Sequence, residues 1–213
     1  MKIKNGKRKR PDGPDLLKMR RITEFLPKRI PYGLASFQAV RDAGLAFVDK
    51  TKVIEALERL EIRFPLLLRP RRFGKTFLTT MLEAYYDKAS AADFDRLFAG
   101  TYIHAHRTAS QGQFHVLRLD FSGIDSTLVV DGFIRKLLLG MSAFFKKYPV
   151  AGADEFLRRK HQTPADLMQA FFLLVDDLID QNLYIIIDEY DQFANEILAA
   201  NKALFREMTS GDF

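Results

Sequence analysis

The chain of 213 residues contains no cysteine and no tryptophan. Without cysteine there are no disulfides and no thiolate metal sites, which fits a reducing compartment and leads to the expectation of a cytoplasmic protein. No window reaches the ~18 unbroken apolar residues of a membrane-spanning helix, so no membrane partner is expected. The N-terminus is basic but lacks the apolar stretch of a signal peptide. The four histidines, His104, His106, His115 and His161, fall in no H-x-x-x-H or H-E-x-x-H pattern, so there is no zinc signal.

What the sequence does have is enough apolar material, 47% of residues with 19 phenylalanines, to bury one sizeable core. Its net charge of +6 is unevenly spread. Residues 1–21 hold nine Lys/Arg against two Asp, a net +7, which leaves −1 for residues 22–213. The body is balanced and the excess sits in a tail. That tail is polar, carries Gly and Pro, and has no apolar periodicity, so residues 1–21 are expected to be disordered. Lys7-Arg8-Lys9-Arg10-Pro11 is either a solvated run or a polyanion-binding or nuclear-localisation cluster. A start at Met19 would remove it altogether. Residues 22–213 form the expected single domain.

Pro31-Tyr32-Gly33 marks a turn. Val53, Ile54, Leu57 and Leu60 then form a helical stripe. The run Phe64-Pro65-Leu66-Leu67-Leu68 predicts a buried strand. From Lys75 the period changes, and Phe77, Leu78, Met81, Leu82 and Tyr85 share one helical face. Residues 114–122, FHVLRLDFS, predict a second strand, ending in Asp120 and Ser122. Residues 127–147 predict a long, largely buried helix. DEFLRRKHQ and residues 165–181 predict two more, the latter opening at Thr163-Pro164, a favourable cap and first-turn pair. NLYIIIDEYD predicts a strand ending in acid, and residues 195–207 a helix. Strands alternating with helices predict an α/β fold with a parallel sheet.

Gly74-Lys75-Thr76 matches the end of the phosphate-binding pattern G-x-x-x-x-G-K-[ST], but its first glycine is missing: Arg69 stands there. The three residues alone are weak evidence. Their context is stronger, because they lie between a predicted strand and a predicted helix, and a second motif, Ile185-Ile186-Ile187-Asp188-Glu189, follows on another strand. Backbone N–H groups and the dipole at a helix N-terminus suit a nucleoside triphosphate. Gly74 admits close backbone approach. Lys75 would reach the β- and γ-phosphates, and the Thr76 hydroxyl would ligate Mg²⁺. Asp188 would hold the same Mg²⁺, and Glu189 would polarise a water for attack on the γ-phosphate. Both motifs would project beyond the carboxyl ends of the strands. The competing reading is an ordinary helix start and an ordinary strand exit. Pro70 lacks an N–H, so the loop is no fully donating cradle; Arg71 and Arg72 offer charge and forked donors instead, or face solvent. The candidate nucleotide-binding stretch is Arg71, Arg72, Phe73, Gly74, Lys75, Thr76 and Phe77.

These residues resemble a known family. RPRRFGKT, with the helix ending LEAYYD, resembles the AAA-ATPase-like domain of predicted bacterial P-loop ATPases, often fused to a PD-(D/E)XK nuclease-like domain. LPKRIPYGLASFQAVRDAGLAFVDKTKVIEAL resembles that family's N-terminal segment, RLFAGTYI the stretch after the first helix, and YIIIDEYDQFAN its second acidic motif. The absent first glycine is the family's own pattern. The resemblance implies a P-loop NTPase-like three-layer core that binds ATP with Mg²⁺, with Lys75 and Thr76 at phosphate and metal, and Asp188 and Glu189 as metal ligand and base. It also places Val48-Asp49-Lys50-Thr51 near the nucleotide base. Family members continue beyond the point where this chain stops, into a sensor strand and the nuclease-like domain. The expectation is therefore a C-terminally truncated domain, with hydrolysis dependent on parts supplied in trans, nucleic acid a partner through a fused or separate nuclease domain, and oligomerisation open. The rival functions are a degenerate interaction module that does not turn over nucleotide, and a nucleic-acid-binding protein acting through the tail.

Overall fold

A computed structural model describes residues 29–61, 64–68, 73–124, 129–179 and 182–190. The basic tail, Arg69 to Arg72 and the helix predicted at 195–207 lie outside them.

Among the described residues two short helices come first, α1 (Phe37–Asp42) and α2 (Lys52–Arg59). The predicted stripe on α2 is seen in part. Ile54 is fully buried and Val53 and Leu57 pack on the core, while Leu60 falls past the helix end and is exposed. Next comes α3 (Lys75–Tyr86), whose buried face of Leu78, Met81, Leu82 and Tyr85 is the face that the sequence spacing predicts. Each such side chain contributes about 1.5–3 kcal/mol by leaving water. A 3₁₀ turn leads into α4 (Phe94–Phe98) and α5 (Tyr102–Ala105). Strand β1 (His115–Asp120) is followed by α6 (Val129–Lys147), α7 (Ala153–Arg158), α8 (Pro164–Ile179) and strand β2 (Leu183–Asp188). The Thr163 hydroxyl accepts the Asp166 N–H at 3.0 Å, the cap expected before Pro164.

β1 and β2 pair in parallel, His115 with Leu183 through Asp120 with Asp188. Side chains alternate across this small sheet. Val116 and Ile186 join the apolar cluster built on α3, with Phe37, Ile54, Tyr85 and Phe98. Leu117, Leu119 and Leu183 point the other way, into a cluster with Met141 and Phe144 of α6 and Leu167, Phe171 and Val175 of α8. The described part of the molecule is thus α/β, with helices against both faces of a two-stranded parallel sheet.

Three expectations change. Residues 64–68 are not a strand: Phe64 is 91% exposed, Leu66 and Leu68 are exposed too, and only Leu67 packs on the core. No strand pairs with this segment among the described residues. An apolar run without a ladder partner keeps its backbone polar groups on water, because desolvating them unpaired is costly. The strand read from NLYIIIDEYD, whose unbroken apolar run calls for burial on both faces, is buried on one face only in β2, since Ile185 and Ile187 are 39% and 48% exposed. Nor is α6 largely buried, for Val130 and Leu139 face solvent.

α6 lies close against β1 at Gly140. A Cβ there would come within 2.7 Å of both the Arg118 carbonyl oxygen and Leu119 Cδ2. Only the missing side chain lets helix and strand approach so far.

Candidate functional site

The turn before α3 is made by Gly74, whose φ of +75° is left-handed and whose open side meets only the Phe77 Cβ at 4.0 Å. A side chain here would be strained and would block the approach of a ligand to the backbone. The first ladder bond of α3 runs from the Leu78 N–H to the Gly74 carbonyl at 3.0 Å. The amides of Thr76 and Phe77 precede it and point out of the helix end, as in any helix start. The Phe77 ring turns inward and packs on Phe37, centroids 5.6 Å apart, which leaves only its backbone at the helix start. Phe73 is exposed. Arg71 and Arg72 are outside the described residues.

The two motifs meet in space. Lys75 Nζ lies 3.5 Å from Glu189 Oε2, although 114 positions separate them in sequence (189 minus 75). The same ammonium sits 5.6 Å from the centre of the Tyr190 ring. Glu189 has φ +55°, a left-handed conformation rare for a residue with a side chain, and its N–H donates to Asp188 Oδ1 at 3.1 Å. Backbone of this kind costs about 1–3 kcal/mol and persists where surroundings enforce it.

Asp188 ends β2 and is 1% exposed. Its Oδ2 lies 3.2 Å from the Thr79 hydroxyl, which is also 2.9 Å from the Thr76 carbonyl oxygen, so one proton is shared between two acceptors. Thr79 thus ties the acid to the first turn of α3, where Thr76 sits. Arg118 Nη2 donates to the same Oδ2 at 3.1 Å. Arg118 lies on β1 opposite Ile186, two residues short of Asp120, which is Asp188's partner in the ladder. Its other arm, Nη1, is 3.8 Å from Glu83 Oε2, and its Nε is buried without a partner among the described residues.

From Glu83 the charges continue away from the site. Lys147 Nζ is 2.5 Å from Glu83 Oε1 and 2.8 Å from Asp87 Oδ2. Burial works to lower the Lys147 pKa, but Glu83 and Asp87 outweigh it and hold it above the ordinary lysine value. Asp87 is fully buried, accepts the Ala89 N–H at 3.0 Å and takes a short hydrogen bond from the Tyr148 hydroxyl. A cleft of about 370 Å³ opens beside this chain of charges, lined by Glu83, Arg118, Asp120, Lys136 and Lys147 among others. It includes neither Lys75 nor Glu189, and the Glu83, Arg118, Asp120 and Lys147 side chains in its wall each already have a partner within the chain.

Asp120 turns back on its own loop and accepts the Ser122 N–H at 2.9 Å. Burial works to raise its pKa, but that bond, with Lys136 and Arg118 nearby, holds the carboxyl below its ordinary value. The Val48-Asp49-Lys50-Thr51 box serves the fold. Asp49 accepts the Thr51 and Tyr102 amides at 2.9 and 2.7 Å, and the Thr51 hydroxyl accepts the Ile103 amide at 3.0 Å. These bonds tie the start of α2 to α5. Burial works to raise the Asp49 pKa, yet the two amides hold it below the ordinary value.

The donors present suit Mg²⁺, a hard cation that takes oxygen ligands. The Thr76 hydroxyl has no partner among the described residues, and the Asp188 carboxylate lies one helical turn away through Thr79. Among the described residues no cluster of three or more His, Asp or Glu forms a protein-only metal cage, so phosphate oxygens and water would complete the shell, the usual arrangement for Mg²⁺.

Of the residues singled out in the sequence, the structure brings Lys75 to Glu189 and ties Asp188 to the first turn of α3, which Gly74 and Thr76 open. Thr79 and Arg118, which make the contacts to Asp188, were not singled out in the sequence. Arg118 had left a signal, a lone cation inside the otherwise apolar strand Val116-Leu117-Arg118-Leu119, since a charge in a buried strand needs a partner. No helix among the described residues is long and apolar enough to cross a membrane. Comparison with curated proteins and with solved structures found no match. A family model described as "Predicted AAA-ATPase" matches residues 31–213, which takes in both motifs and every element that brings them together, and the chain belongs to this AAA-ATPase-like family.

Proposed function

We propose that the chain binds Mg·ATP at the N-terminus of α3 and hydrolyses it, with Lys75 on the β- and γ-phosphates, Thr76 and Asp188 on the metal and Glu189 as base. The observation that carries this reading is the 3.5 Å approach of Lys75 to Glu189, which joins the two motifs at one point. Bound Mg²⁺ supplies charge neutralisation for the β- and γ-phosphate oxygens. The rest falls to the chain. Backbone amides at the start of α3 receive phosphate oxygens along the helix dipole. Lys75 leaves Glu189 for the more highly charged phosphates. Glu189, released from its counter-ion and aimed by its left-handed backbone, orients a water and takes its proton.

The experiment is thermal melting of the purified chain with and without Mg·ATP. Ligand that binds the folded state alone raises stability by about 2.7 kcal/mol at a hundredfold excess over Kd, and Lys75→Ala is expected to abolish the rise. No rise in the unaltered chain refutes nucleotide binding. Glu189→Gln is expected to retain the rise and to trap unhydrolysed ATP. A chain that binds ATP but shows no turnover, with Glu189→Gln indistinguishable from it, is a binding module and not an ATPase.

A further inference from the structure

We infer that Arg118 is a movable counter-ion for Asp188: it neutralises the buried carboxylate before Mg²⁺ arrives and transfers to Glu83 when the metal binds. The inference rests on the nucleotide-site reading above and adds a residue to which no role is attached by either motif.

Asp188 is almost wholly removed from water, and an ionised carboxylate in that position is unstable without a compensating charge. Arg118 provides it at 3.1 Å. The guanidinium does so from an unusual position. It bridges two acids, 3.1 Å from Asp188 Oδ2 and 3.8 Å from Glu83 Oε2, and its Nε has no partner among the described residues. A guanidinium satisfied by one acid would place its fork flat on that carboxylate through two parallel bonds. Here the fork is divided, and the second acceptor is already within reach.

A divalent cation and a guanidinium compete for one carboxylate oxygen. They repel each other, and in a buried site that repulsion is weakly screened. Mg²⁺ binding to Asp188 therefore requires Arg118 to withdraw. Glu83 is the acceptor that makes withdrawal inexpensive. Glu83 is in turn shared with Lys147 at 2.5 Å, and Lys147 can lean on Asp87 at 2.8 Å. The shift of one cation is absorbed along three acids that already share Arg118 and Lys147 between them. Thr79, which holds the other side of Oδ2, keeps Asp188 directed at α3 while the cation changes hands.

Removing the competitor and removing its refuge have opposite effects on metal affinity. In Arg118→Met the carboxylate has lost its protein counter-ion. The apo protein is less stable, and Mg²⁺, titrated at fixed ATP and read from the melting temperature, binds roughly tenfold more tightly, the order expected when one close charge repulsion is deleted. In Glu83→Gln, Arg118 loses its second acid and stays on Asp188, and Mg²⁺ binds more weakly. Arg118→Lys keeps the charge and stays near the parent midpoint. Loosening of the fold alone lowers affinity in both Arg118→Met and Glu83→Gln, so a fall or no change in Arg118→Met overturns the inference. Should Arg118→Met not fold, Glu83→Gln decides: an unchanged or tighter Mg²⁺ midpoint overturns it. If the parent and Lys75→Ala both ignore Mg·ATP, the nucleotide reading fails and takes this inference with it. If they differ but the Arg118 and Glu83 variants leave the Mg²⁺ midpoint unmoved, only the counter-ion inference fails.

Discussion

Asp87 and Asp188 are two carboxylates of nearly identical burial, 0% and 1% exposed, at opposite ends of one chain of charges. Each has a cation, Lys147 or Arg118, and each a hydroxyl, Tyr148 or Thr79. Burial and pairing do not distinguish them. Their surroundings do. Asp87 follows the last residue of α3 and caps the 3₁₀ turn that comes next, with its oxygens committed to Ala89, Tyr148 and Lys147. Asp188 stands at the carboxyl end of a parallel strand, beside the first turn of the same helix, where ligands of such sheets bind. Its side-chain partners both have alternatives: Thr79 has the Thr76 carbonyl and Arg118 has Glu83. One acid is locked and the other is held in a form that can be released.

The largest expected effect separates the two directly. Asp87→Ala strips the Tyr148 hydroxyl of its acceptor, the 3₁₀ turn of its cap and Lys147 of one acid. Loss of a buried partner in such a pair costs about 3–5 kcal/mol. Asp188→Ala leaves each side-chain donor another acceptor and is expected to cost about 1 kcal/mol, the scale of a net hydrogen bond. Urea denaturation of both variants measures the difference, while Mg·ATP-dependent stabilisation is expected to survive in any folded Asp87→Ala protein and to vanish in Asp188→Ala. Equal stability losses remove the distinction between a locked and a releasable acid.

The second effect bears on the frame that carries Arg118. Gly140→Ala drives a methyl group into the Arg118 carbonyl and Leu119 Cδ2. Backbone cannot yield as a flexible side-chain tip can, so overpacking of about 1–3 kcal/mol is expected. If β1 moves to relieve it, Arg118 shifts relative to Asp188 and the Mg²⁺ midpoint changes along with stability. A stability loss with an unmoved midpoint shows that the Arg118 fork tolerates displacement of its strand.

The same contrast explains what was legible in the sequence. Asp188 was found because strand, acid and glutamate are consecutive, and because Gly74-Lys75-Thr76 sits at a change of period. α3, α8 with its Thr163 cap, β1 and β2 were legible for the same reason, each being specified by neighbours in the chain. Asp87 gave no such sign. Its importance comes from Tyr148 and Lys147, 61 and 60 positions away, and contacts at that separation leave no local pattern. Arg118 is intermediate, an anomaly visible in its strand whose partner is not. Residues 64–68 failed in the opposite way. The run reads as a strand locally, yet a strand is a relation between segments, and the described residues supply no partner for it.

The smallest effect belongs to the Asp87 end. His115 is buried with its ring edge-on to Tyr148, centroids 4.7 Å apart, and its Nδ1 has no partner among the described residues. Burial and the nearby Lys88 push its pKa below the ordinary histidine value, against the pull of Asp87. In the unfolded chain the imidazole titrates near ~6.5. Between the folded and unfolded values the unfolded state binds more protons, so stability is full above ~6.5 and declines as pH falls through it. Urea midpoints at pH ~7.5 and ~5.5, either side of that value, are expected to show this decline, and His115→Gln to flatten it. Because His115 touches the locked acid's partner, the Mg²⁺ midpoint at fixed ATP is expected to stay unmoved by His115→Gln. A midpoint that follows His115 means that protonation at one end of the charge chain reaches Asp188 at the other, and the two acids then behave as one coupled unit.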